Sequence, residues 1–188
     1  GFRLAYGGAQ EFYGVVPDMC TVGKIMGGGY PSAALLGTAE FMSVYDKSSA
    51  DPDSFVSQVG TLNGNPIASA AGLATLAEMR KEGAYQRLVE VGGRLCQAMK
   101  DICKQSGIPV QVCGEDSIFD FYFSDRPMIN YRDTLMADSG MMTRFMTGLL
   151  ERGILRGSQK FYPSIVHTDE DIDRTIQAFE EVIPGLKG

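Results

Sequence analysis

The sequence has 188 residues, 44% hydrophobic and 21% charged, which excludes a disordered chain, and its 23 glycines follow no fixed period, which excludes a fibre. Acidic residues outnumber basic ones by 23 to 17, a net charge of -6 that disfavours nucleic acid and anionic membranes as partners. No apolar run approaches the roughly 18 residues that span a bilayer, and Gly1-Phe2-Arg3-Leu4 lacks the layout of a signal peptide, so a cytoplasmic protein is expected. The length predicts one domain, or one and part of another.

From Gly1 to Tyr45 short apolar segments alternate with glycine and proline: Phe12 to Val16, Met19 to Gly23, and Ala33 to Leu36. Being apolar throughout, they predict strands or short helices of a buried α/β layer. Residues 46–64 are polar and turn-rich, a long functional loop. Asn65-Pro66 marks a helix start, with asparagine as cap and proline where no donor is needed. That helix runs to about Lys81 through Ala68 to Ala71 and Ala74, small residues that let another backbone come close.

A second helix is predicted from Tyr85 to Ser106, with Leu88, Val91, Leu95, Met99 and Ile102 on its apolar face and Gly107 as its stop. Ile118 to Phe123 alternates as a strand, with Phe119, Phe121 and Phe123 on one face and Ile118, Asp120 and Tyr122 on the other. Residues 138–152 predict a helix carrying Met142, Phe145, Met146, Leu149 and Leu150, and Phe161 to Val166 a strand. Thr168 with Asp171 forms a capping-box pattern opening a last helix over 169–183. Residues 108–188 therefore form a small α+β unit, and residues 1–64 resemble part of something larger.

Cysteines 20, 96, 103 and 113 make neither a CxxC pair nor a dense disulfide framework, so reduced thiols are expected. The single histidine, His167, excludes a multi-histidine metal site; it stands before a helix cap and is expected to anchor that turn, and no metal is predicted. Asp169, Asp171 and Asp173 suggest a calcium loop, but Arg174 occupies the position that demands glycine, and the helix dipole already explains the charge. Methionines 136, 141, 142 and 146 are expected to fill core.

Two places can carry chemistry. Lys24 follows an apolar segment and precedes Gly27-Gly28-Gly29; it is either a surface charge or an amine whose neighbouring glycines let a ligand approach the backbone. It belongs to neither a Walker loop nor a GxGxxG turn. Gly60-Thr61 through Asn65-Pro66 is either a turn with a cap or an anion site, a hydroxyl beside the free N–H groups of a helix start. A lysine with a phosphate-binding threonine suggests pyridoxal phosphate, whose aldehyde needs an amine and whose phosphate needs donors.

Gly1-Phe2-Arg3, Gly7-Gly8-Ala9-Gln10, Tyr13-Gly14-Val15, Pro17-Asp18, Gly23-Lys24-Ile25 and Gly27-Gly28-Gly29 resemble the class III pyridoxal-phosphate-dependent aminotransferases, and among them the glutamate-1-semialdehyde 2,1-aminomutases. Gly60-Thr61, Gly64-Asn65-Pro66, Ala70 to Leu73 and His167 to Asp173 continue the match in the same order over essentially the whole chain. The resemblance implies an α/β chain of fold type I: the end of a cofactor-binding large domain over 1–64, linking helices over 65–107, and a small α+β domain over 108–188. It implies that Lys24 holds the cofactor as a Schiff base and that Gly60 and Thr61 bind its phosphate across the interface of a homodimer.

Family members are longer. The aspartate that pairs with the pyridine nitrogen, the phosphate loop and the ring-stacking aromatic all precede the matched region, so the resemblance implies an upstream half that this chain lacks. From Gly157 to Ser164 the mutase pattern has Phe-Glu-Ala where this sequence has Lys160-Phe161-Tyr162, which favours an aminotransferase over the mutase. Arg156 and Lys160 are candidates for a carboxylate on a small amino or keto substrate. A non-catalytic homologue that keeps the dimer surface as an assembly partner is the alternative.

Overall fold

The computed structural model describes residues 1–48, 50–157 and 160–187. The chain divides into two units, Gly1–Ala84 and Tyr85–Gly188, the division falling at the start of the longest helix.

The first unit begins with a five-residue helix, α1 (Ala9–Tyr13), and a strand, β1 (Met19–Val22). A 3-10 turn at Lys24–Gly27 leads to β2 (Ala34–Gly37), which pairs antiparallel with β1 from Met19 opposite Gly37 to Val22 opposite Ala34. The apolar segments predicted as a buried layer are instead half-buried or exposed here, because a two-stranded ribbon of four residues a side cannot cover both its faces. After the short helix α2 (Ala39–Met42), residues 46–65 contain turns and no strand or helix among those described. Asp46 and Asp51 organise this loop by accepting the backbone N–H two residues on, from Ser48 and Asp53.

Helix α3 (Pro66–Met79) starts as predicted: Asn65 Oδ1 accepts from the N–H groups of Ile67 and Ala68, each at 3.0 Å, with proline at the first helical position. Ala68, Gly72 and Met79 are its buried residues. Around it the unit leaves large apolar side chains in solvent, Val16 at 86%, Val59 at 83% and Leu73 at 69% exposure. A soluble surface seldom carries so many without a partner.

The second unit holds the continuous core. Its helix α4 (Ala84–Gln105) buries Leu88, Val91, Leu95, Met99 and Ile102 as its periodicity predicts, and stops at Gly107 in the left-handed region. Strands β3 (Gln111–Glu115) and β4 (Ile118–Tyr122) form an antiparallel hairpin around Asp116 and Ser117. This hairpin packs so close to α4 that a Cβ on Gly92 would overlap the Asp116 carbonyl oxygen.

Phe119, Phe121 and Phe123 point inward and are almost fully buried. Phe119 stacks on Phe161 with centroids 5.3 Å apart, and Phe121 and Phe161 both meet Phe179 edge-on. Behind them pack α6 (Ser139–Glu151), which follows the four-residue α5 (Tyr131–Thr134), and α7 (Asp169–Val182). The capping box of α7 is formed: Asp171 N–H donates to Thr168 Oγ1 at 3.2 Å and Thr168 N–H to Asp171 Oδ2 at 2.8 Å.

Two further expectations fail. Phe161 to Val166 is not a strand: Phe161 makes one bridge to Phe119, then Pro163 removes a ladder donor and the chain turns at Ser164 to His167. Met136 is 69% exposed because it lies in the turn after α5, whereas Met141 and Met142 do pack on the core.

Candidate functional site

The site begins where β1 runs out. Gly23 is extended, and Lys24 then turns the chain with φ 54°, the left-handed region that side chains disfavour by about 1–2 kcal/mol. Strain of this kind, held by surrounding structure at an exposed polar residue, is concentrated at functional positions. The Lys24 side chain is exposed.

The turn is fixed from behind by α3. The Met26 carbonyl lies on Gly72, where an added Cβ would sit 3.0 Å from the oxygen. Gly28, at φ +60°, lies on the next turn of the same helix, where a Cβ would stand 2.6 Å from both the Ala71 carbonyl and Thr75 Oγ1. The small-residue face of α3 is thus where the backbone that carries Lys24 comes close. Sequence reading found that face without finding what packs on it.

Gly60 and Thr61 lie in the exposed turn that leads into the same helix, closed by Asn63 N–H to the Gly60 carbonyl at 3.0 Å and Asn65 N–H to the Leu62 carbonyl at 3.1 Å. The free N–H groups expected here are not free, since Asn65 caps those of Ile67 and Ala68. The Thr61 hydroxyl remains as a side-chain donor for an anion. From Asn65 to Gly72 is seven residues, about 10 Å along the axis at 1.5 Å per residue, so α3 carries the threonine turn at its start and the lysine turn two helical turns on.

Arg156 and Lys160 have different surroundings. Arg156 is buried: its Nη2 donates to Asp120 Oδ1, its Nη1 lies 3.5 Å from Met142 Sδ, and its guanidinium covers the Phe161 ring at 4.9 Å. Burial raises the Asp120 carboxyl above the usual carboxylate range, opposed by the Arg156 charge and the Phe121 N–H. Asp120 as partner escaped sequence reading because strand alternation places it opposite the buried phenylalanines and 36 residues from Arg156. Lys160 is exposed; within the segment Gly157 to Ser164 that departs from the mutase pattern, Ser158 and Gln159 lie outside the described residues.

His167 anchors its turn, accepting the Ser164 N–H on Nδ1 at 3.3 Å and offering its carbonyl to Arg87 at 3.0 Å. Asp169 and Asp173 are taken up by Arg87 and Arg94. The Cys96 thiol is pushed up to about 12 and that of Cys103 to about 11, both chiefly by burial, so neither is a nucleophile.

Of a pyridoxal phosphate, the described residues fit two ends: an exposed amine on a constrained turn for the aldehyde, and an exposed hydroxyl turn for the phosphate. The model of the class-III aminotransferase family matches residues 6–183. A glutamate-1-semialdehyde 2,1-aminomutase of Brevibacillus brevis is 42% identical over 181 residues, covering 95% of this chain and 41% of that protein. One from Thermus thermophilus is 40% identical, covering 97% and 43%. The crystal structure of an omega-transaminase from Sphaerobacter thermophilus superposes with a TM-score of 0.91 at 30% identity, covering all of this chain and 43% of that one. The chain spans about two fifths of the length of these relatives, shares the α/β fold of the transaminases over that part, and belongs to the class-III aminotransferase family.

Proposed function

We propose that this chain supplies the lysine-bearing part of a pyridoxal-phosphate-dependent enzyme that transfers an amino group to or from a small carboxylate-bearing amine or keto compound. The observation that carries the reading is Lys24, an exposed amine set in left-handed backbone where β1 ends and held by the packing of its turn on α3. The cofactor, when bound, supplies an electron sink that stabilises negative charge at the substrate α-carbon.

Lys24 would hold the cofactor through its side-chain amine. Not engaged in holding the cofactor, the same amine would serve as the base that takes a proton from the substrate α-carbon and returns it. Thr61, with the Gly60 turn, donates to the phosphate and fixes the register of the ring. Across a homodimer interface this turn serves the neighbouring subunit's site. The exposed apolar side chains of Gly1–Ala84, with the chain's two-fifths span of its relatives, support a dimer and an upstream segment as what covers them. Lys160 is the better of the two cations for a substrate carboxylate, since Arg156 is committed to Asp120.

Transfer within one molecule is the second reading, favoured by the names of the relatives at 42% and 40% identity. The test is an amino-donor panel on the protein assembled with its upstream segment, with and without a keto-acid acceptor. Turnover that requires the acceptor supports the aminotransferase; turnover of glutamate-1-semialdehyde without one establishes the mutase; none in either format contradicts both.

A further inference from the structure

Lys24 occupies a backbone conformation that its side chain disfavours, and its own 3-10 turn, four residues long, is too short to impose that conformation. The restraint has to come from elsewhere, and the structure offers α3. Two backbone-to-helix contacts flank one turn of that helix: the Met26 carbonyl on Gly72, and Gly28 on the Ala71 carbonyl and Thr75 Oγ1. Gly72 and Thr75 are three residues apart and so share a face, continuous with the buried Ala68. Thr75 Oγ1 also donates to the Ala71 carbonyl at 3.0 Å, holding its hydroxyl at the surface on which Gly28 rests.

We propose that Gly72 and Thr75 are positioning residues for Lys24: the depth at which the lysine turn seats on α3 sets where the amine is presented. Neither residue touches the reacting atoms. Their effect is transmitted by the backbone from Met26 and Gly28, two and four residues beyond Lys24. The inference rests on the reading that Lys24 condenses with the cofactor aldehyde, and it adds that this reaction is controlled from the opposite face of the turn.

Gly72→Ala is the informative perturbation. Its Cβ at 3.0 Å from the Met26 oxygen forces the turn outward by a few tenths of an ångström, while alanine is the better helix former by about 1 kcal/mol. The helix is therefore not weakened while the turn moves. A displacement of about 1 Å costs on the order of a hundredfold in a positioned reaction, so a few tenths predicts roughly tenfold.

The experiment uses the protein assembled with its upstream segment and two probes. Pyridoxal phosphate reports the rate of covalent capture through its visible absorbance. Pyridoxine phosphate, which has an alcohol in place of the aldehyde, reports binding without capture. In Gly72→Ala the capture rate is expected to fall about tenfold, with pyridoxine phosphate affinity within twofold and thermal stability equal or higher. Thr75→Val should slow capture by a smaller factor and Thr75→Ser should restore it, a pair that adds no bulk to the helix backbone if Gly72→Ala does not fold. Unchanged capture in folded Gly72→Ala or Thr75→Val, or equal losses for both probes, overturns the positioning role. Wild-type protein that never captures pyridoxal phosphate on Lys24 overturns the underlying reading as well, which separates the two failures.

Discussion

Replacing Asp120 by asparagine tests whether Arg156 is structural or available to a ligand. The side chains of this pair are 3% exposed for Arg156 and 12% for Asp120, so water cannot replace the carboxylate, and Arg156 Nε already has no partner among the described residues. Asparagine keeps the shape and can still accept the Phe121 N–H, now bonded to Asp120 Oδ1 at 2.8 Å, so the change removes mainly the charge. Stranding a buried guanidinium costs about 3–5 kcal/mol. With a urea dependence of about 2 kcal/mol per molar, that lowers the unfolding midpoint by roughly 1.5–2.5 M. The chain has no tryptophan, so far-UV circular dichroism, dominated by α3, α4, α6 and α7, is the suitable signal. Adding Arg156→Met to Asp120→Asn should recover most of the loss, because the charge that lacked a partner is gone. An Asp120→Asn midpoint within about 0.3 M of wild type would refute the reasoning and return Arg156 to the candidates for a substrate carboxylate.

Gly92→Ala should destabilise the second unit by about 2 kcal/mol or more, since its Cβ meets the Asp116 carbonyl and one backbone must move; urea unfolding checks this, and a neutral result contradicts the close approach of α4 and the β3–β4 hairpin. Asp171 is held below the usual carboxylate range by the Thr168 N–H, Asp169 by Arg87 and Glu181 by Arg152. Groups depressed in this way contribute stability above their unfolded pKa near 4, and that contribution is lost as pH falls through the lower folded values. Stability should therefore drop below about pH 4, and Asp171→Asn, which removes the carboxylate that the Thr168 N–H holds, should flatten that dependence; an unchanged slope would show the capping box to be electrostatically idle. Iodoacetamide on the native chain at neutral pH should spare Cys96 and Cys103, whose thiols are buried, until denaturant is added; rapid labelling of either would mean that the core opens locally.

What was legible in the sequence is what local chemistry decides. Asn65-Pro66 and Thr168 with Asp171 announced their helix starts because a cap acts within three residues, and Phe119, Phe121 and Phe123 announced a buried face because strand alternation has period two. β3 was missed because Gln111-Val112-Cys113-Gly114-Glu115 has neither alternation nor a run of branched residues, and its pairing comes from β4. Phe161 to Val166 has the apolar content of a strand, but Pro163 cannot donate to a ladder and only Phe161 bridges to Phe119. At the candidate site, Lys24 and Thr61 stand out in the sequence from their local context and from motif order, whereas the seating of the Lys24 turn on Gly72 and Thr75 and the engagement of Arg156 by Asp120 are contacts tens of residues apart, which local spacing does not encode.

The central claim is that Lys24 is the amine that takes up the cofactor. Incubating the assembled protein with pyridoxal phosphate, reducing with borohydride and mapping peptides by mass measures this directly. The account predicts pyridoxyl on Lys24 in near-stoichiometric amount, lost in Lys24→Ala and weakened at limiting cofactor by Thr61→Val; stoichiometric label on Lys160, Lys47 or any other lysine, with Lys24 unmodified, would contradict it.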